Sequence, residues 1–105
     1  MIKTITANEL FEKIKNNEDF KLVDVLLPSS YNTWHIPGAI NIQNDEIKEK
    51  APYLFKKDDE IIVYCASFEC QSSTRAAKEF ERLGFTNILD FKGGKKEWKE
   101  NNFPY

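Results

Sequence analysis

Apolar and polar positions along the chain follow two patterns, one typical of buried strands and one typical of helices. Short apolar runs predict strands over residues 21–25, 40–42, 61–64 and 87–90. Between these runs, apolar residues recur three or four positions apart, as on one face of a helix. Strands that alternate with helices in this way favour an α/β domain with a largely parallel sheet.

Capping signals mark where two of the helices begin and end. Thr6 and Glu9 have the spacing of a capping box, and Ile5 and Leu10 lie where a hydrophobic staple would be expected. A later helix ends at Gly84, a residue suited to a helix C-terminus. The apolar face of this later helix consists of Ala76, Ala77, Phe80 and Leu83.

The middle of the chain is less regular. Residues 28–30 predict a loop, and residues 35–39 predict a turn that contains proline and glycine. Asn44 is placed to cap a helix that runs through Lys50 and stops near Pro52, because proline disfavours continuation of a helix. Residues 93–94 then turn the chain into a final helix.

Composition narrows the class of protein. The 105 residues suffice for one domain, residues 1–105, with a modest core. The net charge of −2 argues against nucleic-acid binding, which requires a dense basic face. No segment approaches the roughly 20 apolar residues of a membrane span, and the first residues do not resemble a signal peptide. We therefore expect a cytoplasmic protein with no membrane partner and with reduced cysteines.

The candidate chemistry lies in one loop. Cys65 follows a buried apolar run, and Cys70 comes five residues later. The other loop residues are Ala66, Ser67, Phe68, Glu69, Gln71 and Ser72. A thiol between a strand end and a helix N-terminus is expected to have a pKa below the usual value of about 8.5 and to react as a thiolate. Two cysteines and one histidine are too few for a zinc site, so we expect neither metal nor cofactor.

Three segments resemble the signatures of rhodanese-type sulfurtransferase domains. The first comprises residues 22–25 with Pro28, Tyr31 and residues 35–42; the second, residues 62–65 with 75–77; the third, residues 91–94 with Trp98 and Pro104. The resemblance extends from about residue 4 to residue 105. It implies a single rhodanese-like domain, with a central and mostly parallel sheet of about five strands and helices on both faces.

The resemblance also implies a reaction. Cys65 occupies the position of the cysteine that takes sulfane sulfur as a persulfide and passes it to a thiophilic acceptor. The partner would be a small donor (a persulfide, a polysulfide or thiosulfate) or a sulfur-relay protein. Cys70 is a candidate resolving thiol that would attack the Cys65 persulfide, release hydrosulfide and leave a disulfide. Alternatively, Cys70 is a small packing residue near the start of the helix.

The chain departs from the family pattern at three places. Leu26 replaces a common arginine, Trp34 replaces the usual glycine before the His-Ile pair, and the loop from Cys65 to Thr74 contains Glu69 but no cation. Because thiosulfate is a dianion, this loop predicts weak thiosulfate activity.

Most of the remaining residues near the candidate site have structural interpretations. Asp24 and His35 are expected to support the site, Asp24 by ordering a loop and His35 by bonding the turn beside it. Ser67, Ser72 and Ser73 could donate to a bound persulfide, although Ser72 and Ser73 are interpreted as helix caps. Phe91 and Trp98 are predicted core residues, and Lys92, Lys95 and Lys96 a solvated face.

Two other functions fit parts of the pattern. A cysteine phosphatase or arsenate reductase needs an arginine about five residues after its cysteine. Arg75 lies ten residues after Cys65 and five after Cys70, inside a predicted helix, which argues against this class. A non-catalytic rhodanese-like module that binds a partner or senses oxidants through Cys65 and Cys70 is the second alternative.

Overall fold

The computed structural model describes residues 2–105, and its sheet consists of five parallel strands in the order β1-β5-β4-β2-β3. The strands are β1 (Ile2–Thr4), β2 (Lys21–Asp24), β3 (Ile40–Asn41), β4 (Glu60–Tyr64) and β5 (Asn87–Phe91). The predicted α/β class and five-stranded sheet are confirmed, and every neighbouring pair of strands is parallel.

Helices cover both faces of this sheet. They are α1 (Ala7–Lys15), α2 (Pro28–Thr33), α3 (Ile47–Leu54), α4 (Ser72–Arg82) and α5 (Gly94–Glu100). Residues from α3 and α4 share one buried cluster with the sheet, and residues from α1 and α5 share the other. Within residues 2–105, no helix is long and apolar enough to cross a membrane.

Strand β4 lies at the centre of the sheet and determines where Cys65 points. Its side chains alternate, as they must in a strand, so Ile61 and Val63 face the cluster of α3 and α4 whereas Ile62 and Tyr64 face the opposite cluster. Cys65 follows directly and belongs to the same cluster as Ile61 and Val63. Its thiol therefore faces the side of the sheet that carries α4.

The predicted helix signals are present. Thr6 Oγ1 accepts the N–H of Glu9 over 3.1 Å, and Glu9 Oε1 accepts the N–H of Thr6 over 2.9 Å, which completes the capping box. At the end of α4, Gly84 has a φ of +97° and the Phe85 N–H donates to the Phe80 carbonyl over 3.1 Å. This is a Schellman motif, and the Phe80 and Phe85 rings pack against each other across it.

Two sequence-based expectations about secondary structure were wrong. Residues 28–30 begin helix α2 rather than form a loop, because Pro28 occupies the first helical position, where its missing N–H costs nothing. The predicted helix over residues 44–50 is a 3₁₀ turn (Asn44–Glu46) followed by α3, which continues through Pro52 to Leu54. This continuation places Ala51 and Phe55 in the core, so packing outweighs the one lost hydrogen bond.

Strand β1 was not predicted at all. It has three residues, of which only Ile2 is apolar, so it carries no periodic pattern. Its backbone pairs with β5 in the register Ile2–Ile88 to Thr4–Asp90. The strand therefore exists because of a tertiary contact with residues more than eighty positions away.

Candidate active site

The Cys65 thiol is enclosed at the carboxyl end of the central strand. Cys65 is 0% exposed. Its sulfur accepts the N–H of Ser73, in the first turn of α4, over 3.4 Å, and its thiol donates to the Cys70 carbonyl over 3.5 Å. The expectation that α4 points its N-terminus at this sulfur is confirmed.

The loop from Ala66 to Gln71 encloses the thiol. A turn brings the Cys70 N–H to the Ser67 carbonyl over 3.1 Å, which folds the loop back towards Cys65. Phe68 is 60% exposed and Glu69 is also exposed, so the tip of the loop faces solvent. Cys70 is only partly buried, and the two cysteines therefore differ in their access to solvent.

Helix α5 holds the base of this loop. The N–H of Lys95 donates to the Cys65 carbonyl over 3.0 Å, and the N–H of Lys96 donates to the Ala66 carbonyl over 2.9 Å. Gly94 adopts a φ of +60° at the closest approach, and a Cβ there would overlap the Cys65 carbonyl oxygen. The second glycine of the 93–94 pair is thus required by backbone conformation and by close contact with the site.

The two thiols have opposite pKa shifts. Burial raises the pKa of Cys65, and its contact with Cys70 adds to this, while the N–H and hydroxyl of Ser73 act in the other direction. Burial also acts to raise the pKa of Cys70, but the Cys65 thiol, the backbone N–H groups of Ala66 and Ser72 and the Ser72 hydroxyl together lower that pKa to about 7.

This distribution corrects one expectation from the sequence. The strand end and helix N-terminus indicated a lowered pKa at Cys65. In the structure the pKa of Cys65 is raised and that of Cys70 is lowered, so Cys70 is the thiol that ionises more readily. The physical reason is that desolvation of the enclosed Cys65 sulfur, together with its contact with Cys70, outweighs the N–H and the hydroxyl of Ser73.

The serines at the start of α4 are not helix caps. Gln71 precedes the helix, and Ser72 and Ser73 are its first two residues. Ser73 is 1% exposed, and its hydroxyl lies beside the Cys65 sulfur without a regular hydrogen bond to any residue from 2 to 105. A buried hydroxyl in this position is free to donate to a sulfur species on Cys65.

Asp24 and His35 lie in a neighbouring network rather than against the Cys65 sulfur. Asp24 accepts the N–H of Leu26 over 2.9 Å and the hydroxyl of Tyr64 over 2.8 Å. The Tyr64 hydroxyl also accepts the N–H of Ile36 over 3.1 Å. His35 Nδ1 lies 3.0 Å from the Tyr31 carbonyl, and the two rings stack. The network ties the turn at residues 35–39 to the strand that carries Cys65.

Of the lysines expected to form a solvated face after β5, Lys96 is exposed, whereas Lys95 and Lys92 contact other segments of the chain. Lys95 is 7% exposed: its Nζ donates to the Ser30 carbonyl over 2.8 Å and lies 4.9 Å from the centre of the Trp34 ring. Burial lowers the pKa of Lys95. Lys92 donates to the Thr74 hydroxyl over 2.7 Å, in the first turn of α4.

The predicted aromatic core residues are both enclosed, since Phe91 and Trp98 are 0% exposed.

A surface groove of about 390 Å³ lies beside Ser72, at the start of α4. It is lined by Val25, Leu26, Leu27, Gln43, Asn44, Asp45 and Ser72. A larger groove of about 550 Å³ lies at the opposite end of the strands. Its lining is mostly charged and includes Lys21 and Glu60. Volume alone would therefore have pointed away from the thiols.

Residues 6–101 match the profile of the rhodanese-like domain. The chain belongs to the rhodanese-like domain family. A sulfurtransferase of Allochromatium vinosum is 25% identical over 104 residues, which cover 99% of this chain and 94% of that protein. A solved structure of a Bacillus halodurans protein superposes with a TM-score of 0.90 at 32% identity, covering 96% of this chain and 74% of that one.

The relatives also differ in length. The senescence-associated protein DIN1 of Raphanus sativus is 32% identical over 96 residues, which cover 81% of this chain. The chain spans about half of that relative, 51% of its length. The rhodanese-like domain is thus a unit that also occurs within longer proteins, and the family includes sulfurtransferases.

Proposed function

We propose that this chain is a sulfurtransferase that carries sulfane sulfur as a persulfide on Cys65 and passes it to a thiophilic acceptor. The observation that carries the proposal is the placement of the Cys65 sulfur, at the end of the central strand and 3.4 Å from the Ser73 N–H of α4. An N–H at a helix N-terminus stabilises negative charge on sulfur, and a persulfide carries such charge.

Cys70 supports a second step in the same site. The Cys65 thiol donates to the Cys70 carbonyl over 3.5 Å, and Cys70 has the lower pKa of the two thiols. We propose that, without an acceptor, the Cys70 thiolate attacks the inner sulfur of the Cys65 persulfide. The sulfur–sulfur bond of the persulfide breaks, hydrosulfide leaves with the electron pair, and a Cys65–Cys70 disulfide forms that an external dithiol must reduce.

Intact-mass spectrometry tests the carrier function. The reduced protein is incubated with polysulfide and desalted, and fragmentation then locates the added sulfur. We expect a gain of one sulfur atom on Cys65 that disappears when a small thiol is added, with the persulfide of that thiol as product. A protein that gains no sulfur, or holds it on Cys70 alone, would refute the proposal. A Cys65→Ser, Cys70→Ser double variant provides the background.

One observation favours the alternative of a redox-sensing module, namely the full burial of Cys65 in the reduced protein. Such a module would form the Cys65–Cys70 disulfide with peroxide but would take no sulfur from polysulfide. The same mass measurement separates the two functions, because oxidation removes two hydrogens whereas loading adds a sulfur.

Thiosulfate is expected to be a poor donor. The exposed Glu69 side chain lies at the tip of the loop, and residues 65–74 contain no lysine or arginine. Sulfite leaving from thiosulfate would be stabilised by N–H and hydroxyl groups without a cation from the loop, and loss of one oriented donor from such a site typically costs about 2.7–4 kcal/mol. Glu69→Arg should therefore raise thiosulfate turnover.

A steady-state assay with thiosulfate and a thiol acceptor measures this effect. Glu69→Gln is the matched control, since it removes the negative charge without adding a positive one, and it should give a smaller gain. Equal turnover in wild type, Glu69→Gln and Glu69→Arg would show that loop charge does not limit the use of thiosulfate.

A further inference from the structure

The two cysteines differ in which of them a donor can reach. Cys65 is 0% exposed, and its sulfur is enclosed by the Ser73 N–H and the Cys70 carbonyl. Cys70 is partly exposed and belongs to the same loop as the solvent-facing Phe68 and Glu69. A donor that approaches from solvent therefore meets the Cys70 sulfur before the Cys65 sulfur.

We infer that Cys70 is the thiol that first takes sulfur from the donor, and that Cys65 receives it from Cys70 in a second step. The inference rests on the proposed function, since it assumes that sulfur is finally held on Cys65. It assigns to Cys70 a catalytic role in loading, in addition to the resolving step proposed above.

The chemistry balances in two displacements. The Cys70 thiolate attacks the outer sulfur of a polysulfide, one sulfur–sulfur bond breaks, and the shortened polysulfide leaves with the electron pair. Cys65 then loses its proton to solvent, and its thiolate attacks the outer sulfur of the Cys70 persulfide. The bond between the two Cys70 sulfurs breaks, and its electron pair remains on the Cys70 thiolate. Sulfane sulfur is transferred twice, with no external oxidant or reductant.

The direction of the second step follows from the surroundings of each sulfur. The backbone N–H groups of Ala66 and Ser72 and the Ser72 hydroxyl lower the pKa of Cys70, so its thiolate is the better leaving group. Cys65 is enclosed and is the more basic thiol. Because sulfur exchange favours departure of the less basic thiolate, the sulfane sulfur accumulates on Cys65.

Rapid-quench loading at pH 7 tests the inference. Wild type, Cys70→Ser and Cys65→Ser are mixed with polysulfide, alkylated at short times and analysed by mass spectrometry. In wild type the transfer from Cys70 to Cys65 is intramolecular, whereas in Cys70→Ser the donor itself must reach the enclosed Cys65, so this variant should load Cys65 at least about tenfold more slowly than wild type. Cys65→Ser should still take up sulfur, on Cys70. Thermal unfolding of each variant verifies folding, and Cys70→Ala serves as a second variant if Cys70→Ser is unstable.

The outcomes separate this inference from the function on which it rests. If wild type gains no sulfur, the proposed function fails. If wild type and Cys70→Ser load Cys65 at equal rates, the function stands and Cys70 is not the first acceptor. If Cys65→Ser gains no sulfur while wild type does, the donor reacts directly with Cys65 and the inference is equally overturned.

Discussion

Sulfur bound to the Cys65→Ser variant should pass to an external thiol faster than sulfur bound to the wild-type protein. In this variant the sulfur can reside only on Cys70, which is partly exposed and is the better leaving group. Exchange is faster when the departing thiolate is less basic, and Cys70 is the less basic of the two thiols. Burial of the wild-type persulfide adds to this difference.

The measurement loads both proteins with polysulfide, removes the excess and follows the decay of the added mass after glutathione is mixed in. Cys70→Ser, loaded for a longer time, is the complementary control. It should hold its sulfur at least as long as wild type, because without the Cys70 thiol the sulfur cannot return to residue 70 and the Cys65 persulfide cannot be attacked from there. Equal decay in wild type and Cys65→Ser would mean that Cys65 does not protect the bound sulfur.

Gly94→Ala should lower the free energy of unfolding by about 3 kcal/mol or more and impair sulfur loading. A non-glycine residue with positive φ costs about 1–2 kcal/mol, and forcing extra atoms into a packed site typically costs a further 1–3 kcal/mol. The added Cβ at Gly94 would overlap the Cys65 carbonyl oxygen and lie 2.8 Å from the Ala66 carbonyl carbon. Because these atoms are backbone, relief requires the reactive loop or α5 to move.

Gly38→Ala is the matched control for this prediction. Gly38 has a φ of +87°, and a Cβ built there meets no atom of residues 2–105 within 4 Å. The Gly38→Ala variant should therefore lose only about 1–2 kcal/mol of its free energy of unfolding, the cost of the positive φ, and should load sulfur normally. Urea unfolding and the mass assay measure both properties, and equal destabilisation by the two substitutions would contradict the steric explanation.

The sequence predicted those parts of the fold that local chemistry determines. The capping box at Thr6 and the glycine stop at Gly84 depend on residues within one or two turns, and both are present. Strand β1 and the passage of α3 through Pro52 depend on distant contacts, with β5 and with the core respectively. Residues 2–4 and 47–54 do not encode those contacts in their own pattern, which explains both errors.

The candidate site shows the same division. The position of Cys65 at a strand end beside a helix N-terminus could be predicted from the order of elements. Its complete enclosure, and with it the raised pKa, depends on how the loop folds back through Ser67 and Cys70. The burial of Lys95 against Ser30 and Trp34 likewise joins segments about sixty residues apart, which no local spacing could indicate.

The edge position of β1 has a consequence for how the chain folds during synthesis. Residues 2–4 leave the ribosome before the other strands of this sheet, yet their partners at residues 88–90 leave it after β2, β3 and β4. Until then β1 exposes unpaired backbone, while β2 and β4 have already emerged. The nascent sheet therefore grows outward from its centre, and its first-made strand is the last that can dock.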